Sequence, residues 1–167
     1  MTTIGGLLDV ALVLGLDLPD VVVYLLLLFV YAVLAAVALP IPVEALLVFH
    51  PEIDPLLKAA VLGLGKGAGA IAVFYVGNRV NPWLERWMDR HASWKKFLGA
   101  LEKFVRRTGW VGLTVLLAIP FMSDTAVNYF YSLLNEEGKA VSRGHFILAN
   151  VVGGAVRAVI FLWALPG

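Results

Sequence analysis

The sequence predicts an all-α integral membrane protein. It is built as an inverted repeat of two re-entrant hairpins, each followed by a transmembrane helix, with a cytoplasmic amphipathic helix between the halves. Three observations lead there. The 167 residues are 60% hydrophobic and 15% charged, with a mean hydropathy of +0.86; a soluble domain is about half apolar and about a quarter charged. Two apolar runs are each interrupted by proline followed four residues later by an acid, Pro40 to Glu44 and Pro120 to Asp124. The basic residues concentrate in a single stretch between these runs. Such a chain is too short for two substantial domains. The local basic cluster, in a net charge of only +1, is no sign of nucleic-acid binding. The absence of cysteine excludes disulfides, Cys-ligated zinc and thiol nucleophiles.

Residues 1–20 carry Asp9, Asp17 and Asp20 and no base, and their apolar part, Ile4–Leu16, is shorter than the ~20 residues a span needs. They are expected to form an interfacial segment. No Lys or Arg precedes Lys58, so no basic n-region marks a signal peptide. The rest, 21–167, is expected to be one membrane domain. Val21–Leu39 is long enough to cross alone, whereas the limb after Pro40 and Pro42 is not. Acidic flanks on both sides, lacking any base, place both ends outside, which favours a hairpin over 21–50.

Asp54–Pro55 reads as a helix start, an N-cap acid before proline at the first helical position. The span expected over 55–79 carries Gly63, Gly65, Gly67 and Gly69, a small-residue face for close helix approach within the chain or between copies of a homo-oligomer. Lys66 stands among these glycines, either as a buried charge partner or as a snorkelling side chain. Arg79–Arg107 then holds eight bases against three acids, which places 79–107 in the cytoplasm and both termini outside. Asn81–Pro82 reads as the cap of an amphipathic helix over 82–107. Its aromatic and basic faces suit an anionic membrane surface or simple packing on the membrane domain.

A second hairpin is expected over 109–135, broken at Pro120 into limbs too short to span. The last span, 144–166, follows the N-cap Ser142 and contains Arg157. Inverted repeats whose broken helices meet near the midplane are the scheme of many secondary transporters.

Ionisable residues at membrane depth are candidate functional groups. The candidate substrate- or proton-binding residues are therefore Glu44, Asp124, Arg157, Lys66 and Asn128, with Pro40, Pro42 and Pro120 as the hairpin breaks. Low dielectric disfavours a charged carboxylate, so Glu44 and Asp124 either exchange protons or pair with cations. Glu44 with Arg157 and Asp124 with Lys66, or the reverse, would make structural ion pairs or a titratable site. Ser123, Thr125 and Asn128 either hydrogen-bond beside Asp124 or satisfy backbone groups freed by Pro120. No metal-ligand spacing, Walker loop, nucleophile elbow or cofactor motif occurs, so an enzyme is the least supported class. Too few polar residues line these segments for an ion channel to be attractive.

The stretch Leu39–Pro40–Ile41–Pro42–Val43–Glu44–Ala45–Leu46–Leu47 resembles the Pro–x–Pro–x–Glu hairpin of the DedA family, whose core is the VTT or SNARE-associated domain. Leu62–Arg79, with Gly67, Tyr75, Gly77 and Arg79, is similar to that family's glycine-rich helix ending in Tyr–x–Gly–x–Arg. The order of later segments follows too, so the resemblance covers about 21–166. It implies a membrane transporter, flippase or scramblase of lipids such as polyprenyl phosphates or phospholipids, with possible coupling to protons and with Glu44 at the family's hairpin acid. The family's second hairpin typically reads Arg–x–x–Pro–Gly–x–Arg. Here Leu117, Pro120, Phe121 and Ser123 stand at the matching positions, so both arginines, its natural phosphate ligands, are missing. The alternatives are a small-solute, ion or proton transporter and a non-transporting scaffold whose buried ion pairs only specify packing.

Overall fold

The computed structural model describes residues 20–38, 43–90, 92–135 and 139–164, with the backbone alone at Asn78 and over 81–98. Every regular element in them is helical: α1 (Asp20–Val37), α2 (Glu44–Leu47), α3 (Pro55–Arg90), α4 (Ala92–Ala118), α5 (Asp124–Leu133) and α6 (Arg143–Ala164). Among the described residues, three helical stretches are long and apolar enough to cross a membrane, Asp20–Val37, Pro55–Gly77 and Arg143–Ala164, which fits a membrane protein. The expected interfacial segment, residues 1–19 of it, and the breaks Pro40 and Pro42 lie outside the described residues.

The central element is α3. It starts where expected, with Asp54 Oδ1 accepting from the backbone N–H groups of Leu56 (2.7 Å) and Leu57 (3.2 Å). Its glycines serve two interfaces, not one face. A Cβ at Gly63 would lie 2.6 Å from the Val151 carbonyl of α6, and one at Gly65 would lie 2.6 Å from the Phe29 carbonyl of α1. Gly67 and Gly69 repeat the alternation one turn later, against Val151 and the Val33 carbonyl. Of the two uses expected for these glycines, the structure contains close helix approach within the chain. The layering follows: α1 and α6 pack on either side of α3, and α4 closes against α6.

Two boundaries differ from expectation. Asn81–Pro82 does not begin a new helix, because α3 runs through it to Arg90. Proline inside a helix forfeits one ladder hydrogen bond and favours a kink, and the helix here continues past that loss. At 36 residues α3 is about 54 Å long, well beyond a hydrocarbon core of about 30 Å. The amphipathic segment is consequently divided between the end of α3 and the start of α4. The second boundary is Gly109, where φ 54° and ψ −146° break α4 into two helical pieces. That backbone region is essentially restricted to glycine, and it falls where the second broken segment was expected to begin. The last helix starts at Arg143 with Ser142 Oγ accepting from the His145 N–H (3.4 Å), close to the expected 144–166.

Two apolar cores lie at opposite ends. One is formed by Tyr24, Leu28, Ala32, Leu47, Ile53 and Leu62, the other by Phe74, Val105, Leu113, Leu117, Tyr131 and Phe146. The candidate site lies between them.

Candidate functional site

Each interrupted segment doubles back on itself. After α1, residues 43–50 return to its start: the Tyr24 hydroxyl donates to the Leu46 carbonyl (2.8 Å), and the Tyr24 and His50 rings are 4.8 Å apart. Lys58, only 2% exposed, donates to the Leu47 (3.1 Å) and Phe49 (2.7 Å) carbonyls and so holds the end of α2. In the adjoining loop, Glu52's own backbone N–H and then the His50 ring hold its carboxyl below the usual value.

The second segment behaves alike. Pro120 cannot continue α4 and biases Ile119 away from helical dihedrals. The chain crosses the break through Phe121 at φ 62° and re-enters helix at Asp124, where Ser123 Oγ accepts from the Ala126 N–H (3.3 Å). By Tyr131 it is back beside Thr108, with the two hydroxyls 2.8 Å apart. A bulky residue at positive φ is strained. The Phe121 N–H donates to Glu44 Oε1 at 3.0 Å, so the strained residue of one break is held by the acid of the other.

Four charges converge there. Lys66 Nζ is 2.8 Å from Asp124 Oδ2, and Arg157 Nη1 is 3.1 Å from Asp124 Oδ1 and 3.5 Å from Glu44 Oε1. The residues are 0% (Lys66), 1% (Glu44), 2% (Arg157) and 5% (Asp124) exposed. Gly154 makes room for the lysine, since a Cβ there would lie 2.6 Å from Lys66 Cδ. Lys66 stands eight residues after Lys58 and nine before Tyr75. It is therefore about 12–14 Å along α3 from each, roughly half a bilayer core.

The four formal charges cancel, but the hydrogen bonding is incomplete. Among the described residues Glu44 Oε2 and Arg157 Nε and Nη2 have no hydrogen-bond partner, while Lys66 Nζ and Asp124 Oδ1 are held by ion-pair contacts. Buried polar groups left unmatched cost about 1–3 kcal/mol each, more when charged. Coulomb attraction of about 4 kcal/mol at 4 Å and an effective dielectric near 20 competes with a desolvation cost of several kcal/mol per ion. The cluster is thus an expensive arrangement, and stability alone is a weak reason for it.

The pairing of Glu44 with Arg157 and Asp124 with Lys66 is one of the two pairings expected, with Arg157 additionally reaching Asp124. The neighbours differ from expectation. The Asn128 side chain hydrogen-bonds neither to the Asp124 carboxylate nor to the backbone of the break. It exchanges two 2.9 Å hydrogen bonds with Asn150, whose amide also donates to the Phe146 carbonyl (3.1 Å). Thr125 reaches across to the Ala35 carbonyl of α1 (2.7 Å). Ser123 fills the cap role. Sequence reasoning missed Asn150 and treated Lys58 as a flanking base; the polar character of Asn150 inside an apolar helix was the available signal.

No protein-family model matches this chain, and no similar protein is found among the curated proteins or the solved structures.

Proposed function

We propose that the chain is a multi-pass membrane transporter of the DedA type, a lipid flippase or scramblase acting on phospholipid or polyprenyl phosphate through the Glu44–Arg157–Asp124–Lys66 cluster, with proton coupling. One observation carries this reading: a buried, charge-balanced cluster, with polar atoms that have no hydrogen-bond partner among the described residues, joins the segments that follow the two breaks. A structural staple has every reason to satisfy its members, because a half-satisfied buried network is worse than an apolar one. A site that exchanges partners during a cycle carries such unmatched groups.

The inverted-repeat reading gains support from the cross-pairing. The acid after each break faces the base of the other half's long helix, Glu44 to Arg157 and Asp124 to Lys66. Gly63 and Gly154 each stand three residues before that base, and a Cβ on Gly154 would lie 3.4 Å from Gly63 Cα. The short helix of each half packs on the long helix of the other, α2 on α6 and α5 on α3. In this reading both doubled-back segments are re-entrant hairpins, 79–107 is cytoplasmic, and both termini lie outside. The halves are unequal, since α1 is long enough to cross a membrane and 110–118 is not.

A second reading is favoured by the near-complete burial of all four charges: a non-transporting scaffold in which the cluster only specifies packing. Flip-flop of a fluorescent phospholipid and of a polyprenyl phosphate in proteoliposomes at two pH values separates the two. The transporter reading expects flux that falls at least tenfold in folded Glu44→Gln and Asp124→Asn variants. Well-folded wild-type protein that moves neither lipid at either pH contradicts it.

A further inference from the structure

The buried polar residues outside the cluster are not spread evenly around it. On α5, Asp124, Asn128 and Ser132 follow at intervals of four, and Asn135 lies two residues beyond the helix end at Leu133. With 100° per residue the three helical positions fall within one quadrant of α5. Asp124 is 5% exposed and the other three are fully buried. Tyr131, on the same face, shares its hydroxyl contact with Thr108. Asn150 of α6 widens the first rung through its pair with Asn128. The last rung, Asn135, accepts from the Ala140 (3.0 Å) and Val141 (2.9 Å) N–H groups and donates to the Val141 carbonyl (2.7 Å), at the end of the bundle where Trp110 stacks on His145 and Arg143 bonds Tyr75. From Asp124 to Ser132 is about 12 Å along the helix, and Asn135 lies beyond that, against a hydrocarbon core of about 30 Å.

Toward the Tyr24–His50 end the described residues hold the buried Lys58, engaged by the Leu47 and Phe49 carbonyls about 12 Å from Lys66, and no buried polar side chain between the two. The residue four after Glu44 is Val48, where Asp124 has Asn128. Between the cluster and the Tyr24–His50 end lie Leu28, Ala32, Leu47, Ala59, Leu62 and Ala158, all apolar and buried. Asn128, Ser132 and Asn135 each have a local partner, Ser132 donating to the Tyr129 carbonyl (3.3 Å), and together they form a stepped polar series on one side of the cluster; polar residues at this depth mark ion and proton paths.

We infer that the central cluster is connected to one aqueous face only, along Asn128 and Ser132 of α5 and Asn135 just beyond its end, and that water and protons reach it from the end holding residues 108–110 and 139–145. The line opens in a conformation other than the closed one described above, in which Ser132 packs on Gly77. The inference deepens the transporter reading by assigning the proton a side of entry, and its test does not depend on transport.

The chain contains no cysteine, so single-cysteine variants report directly. Asn135→Cys, Ser132→Cys and Asn128→Cys would be reconstituted in sidedness-sorted vesicles and exposed to a membrane-impermeant methanethiosulfonate reagent, with Leu117→Cys as the buried apolar control. Folding is checked by thermal melting in detergent. Ser132→Cys, which only exchanges oxygen for sulfur, decides the matter if the asparagine variants are unstable. The expected result is labelling at least tenfold faster from the 108–110 face than from the opposite face, with rates falling from 135 to 132 to 128 and no reaction at 117. Unreactive Ser132→Cys, equal labelling from both faces, or labelling at 117 as fast as at 132 overturns the inference. One-sided labelling in a protein that moves no lipid would leave the path standing and remove the transporter reading.

Discussion

Arg157 is the residue that ties the cluster together, but Lys66 is the one whose loss reports most simply. Removing one member of a buried ion pair leaves an uncompensated charge, which costs about 3–5 kcal/mol. Lys66→Met is expected to destabilise the protein by that amount, read from unfolding in detergent. Lys66→Met combined with Asp124→Leu removes both charges of the 2.8 Å pair. It is expected to recover most of the loss, because an apolar pair of similar volume is often neutral or better. Recovery will fall short to the extent that Arg157 misses its 3.1 Å contact with Asp124. Lys58 makes a different kind of contribution, since it satisfies two backbone carbonyls and no acid. Lys58→Met is expected to cost about 1–3 kcal/mol and to free the end of α2, measured as faster amide exchange at the residues after Leu47.

The helices depend on close approach at α3. Gly63→Ala and Gly65→Ala each place a Cβ 2.6 Å from a backbone carbonyl of a neighbouring helix. Each is expected to destabilise by about 1–3 kcal/mol through forced separation. Gly99→Ala meets nothing within 4 Å and is expected to stabilise by roughly 0.5–1 kcal/mol through helix propensity. Thermal melting of the three variants side by side checks the contrast. These elements differ in how legible they are in the sequence. Asp54–Pro55, Ser142 and the break at Pro120 are local signals, carried by residues within one turn, and each marks what the structure contains. Asn81–Pro82 is also a local signal, but a proline costs a helix one bond and a long helix absorbs it. The Asn128–Asn150 pair and the Lys58 cap join residues 22 and 9–11 positions apart, and no periodicity in either segment announces them. The four-charge cluster is legible only because so few charges occur in the apolar runs that each has few possible partners.

At the scale of the whole molecule, the proposed orientation and the proposed transport make separate claims. If the basic region 79–107 is cytoplasmic, Gly99→Cys will react with an impermeant thiol reagent from the cytoplasmic side alone, whereas cysteines added at either terminus will react from outside. The central claim is that the cluster joining the two breaks is a working site and not a staple. The most direct measurement is lipid flux through the Lys66→Met/Asp124→Leu double variant, assayed well below its melting temperature and at reconstitution equal to wild type. The account predicts flux at least tenfold below wild type in a fully folded protein. Flux equal to wild type from that folded, charge-depleted variant would contradict it and leave the cluster a packing device.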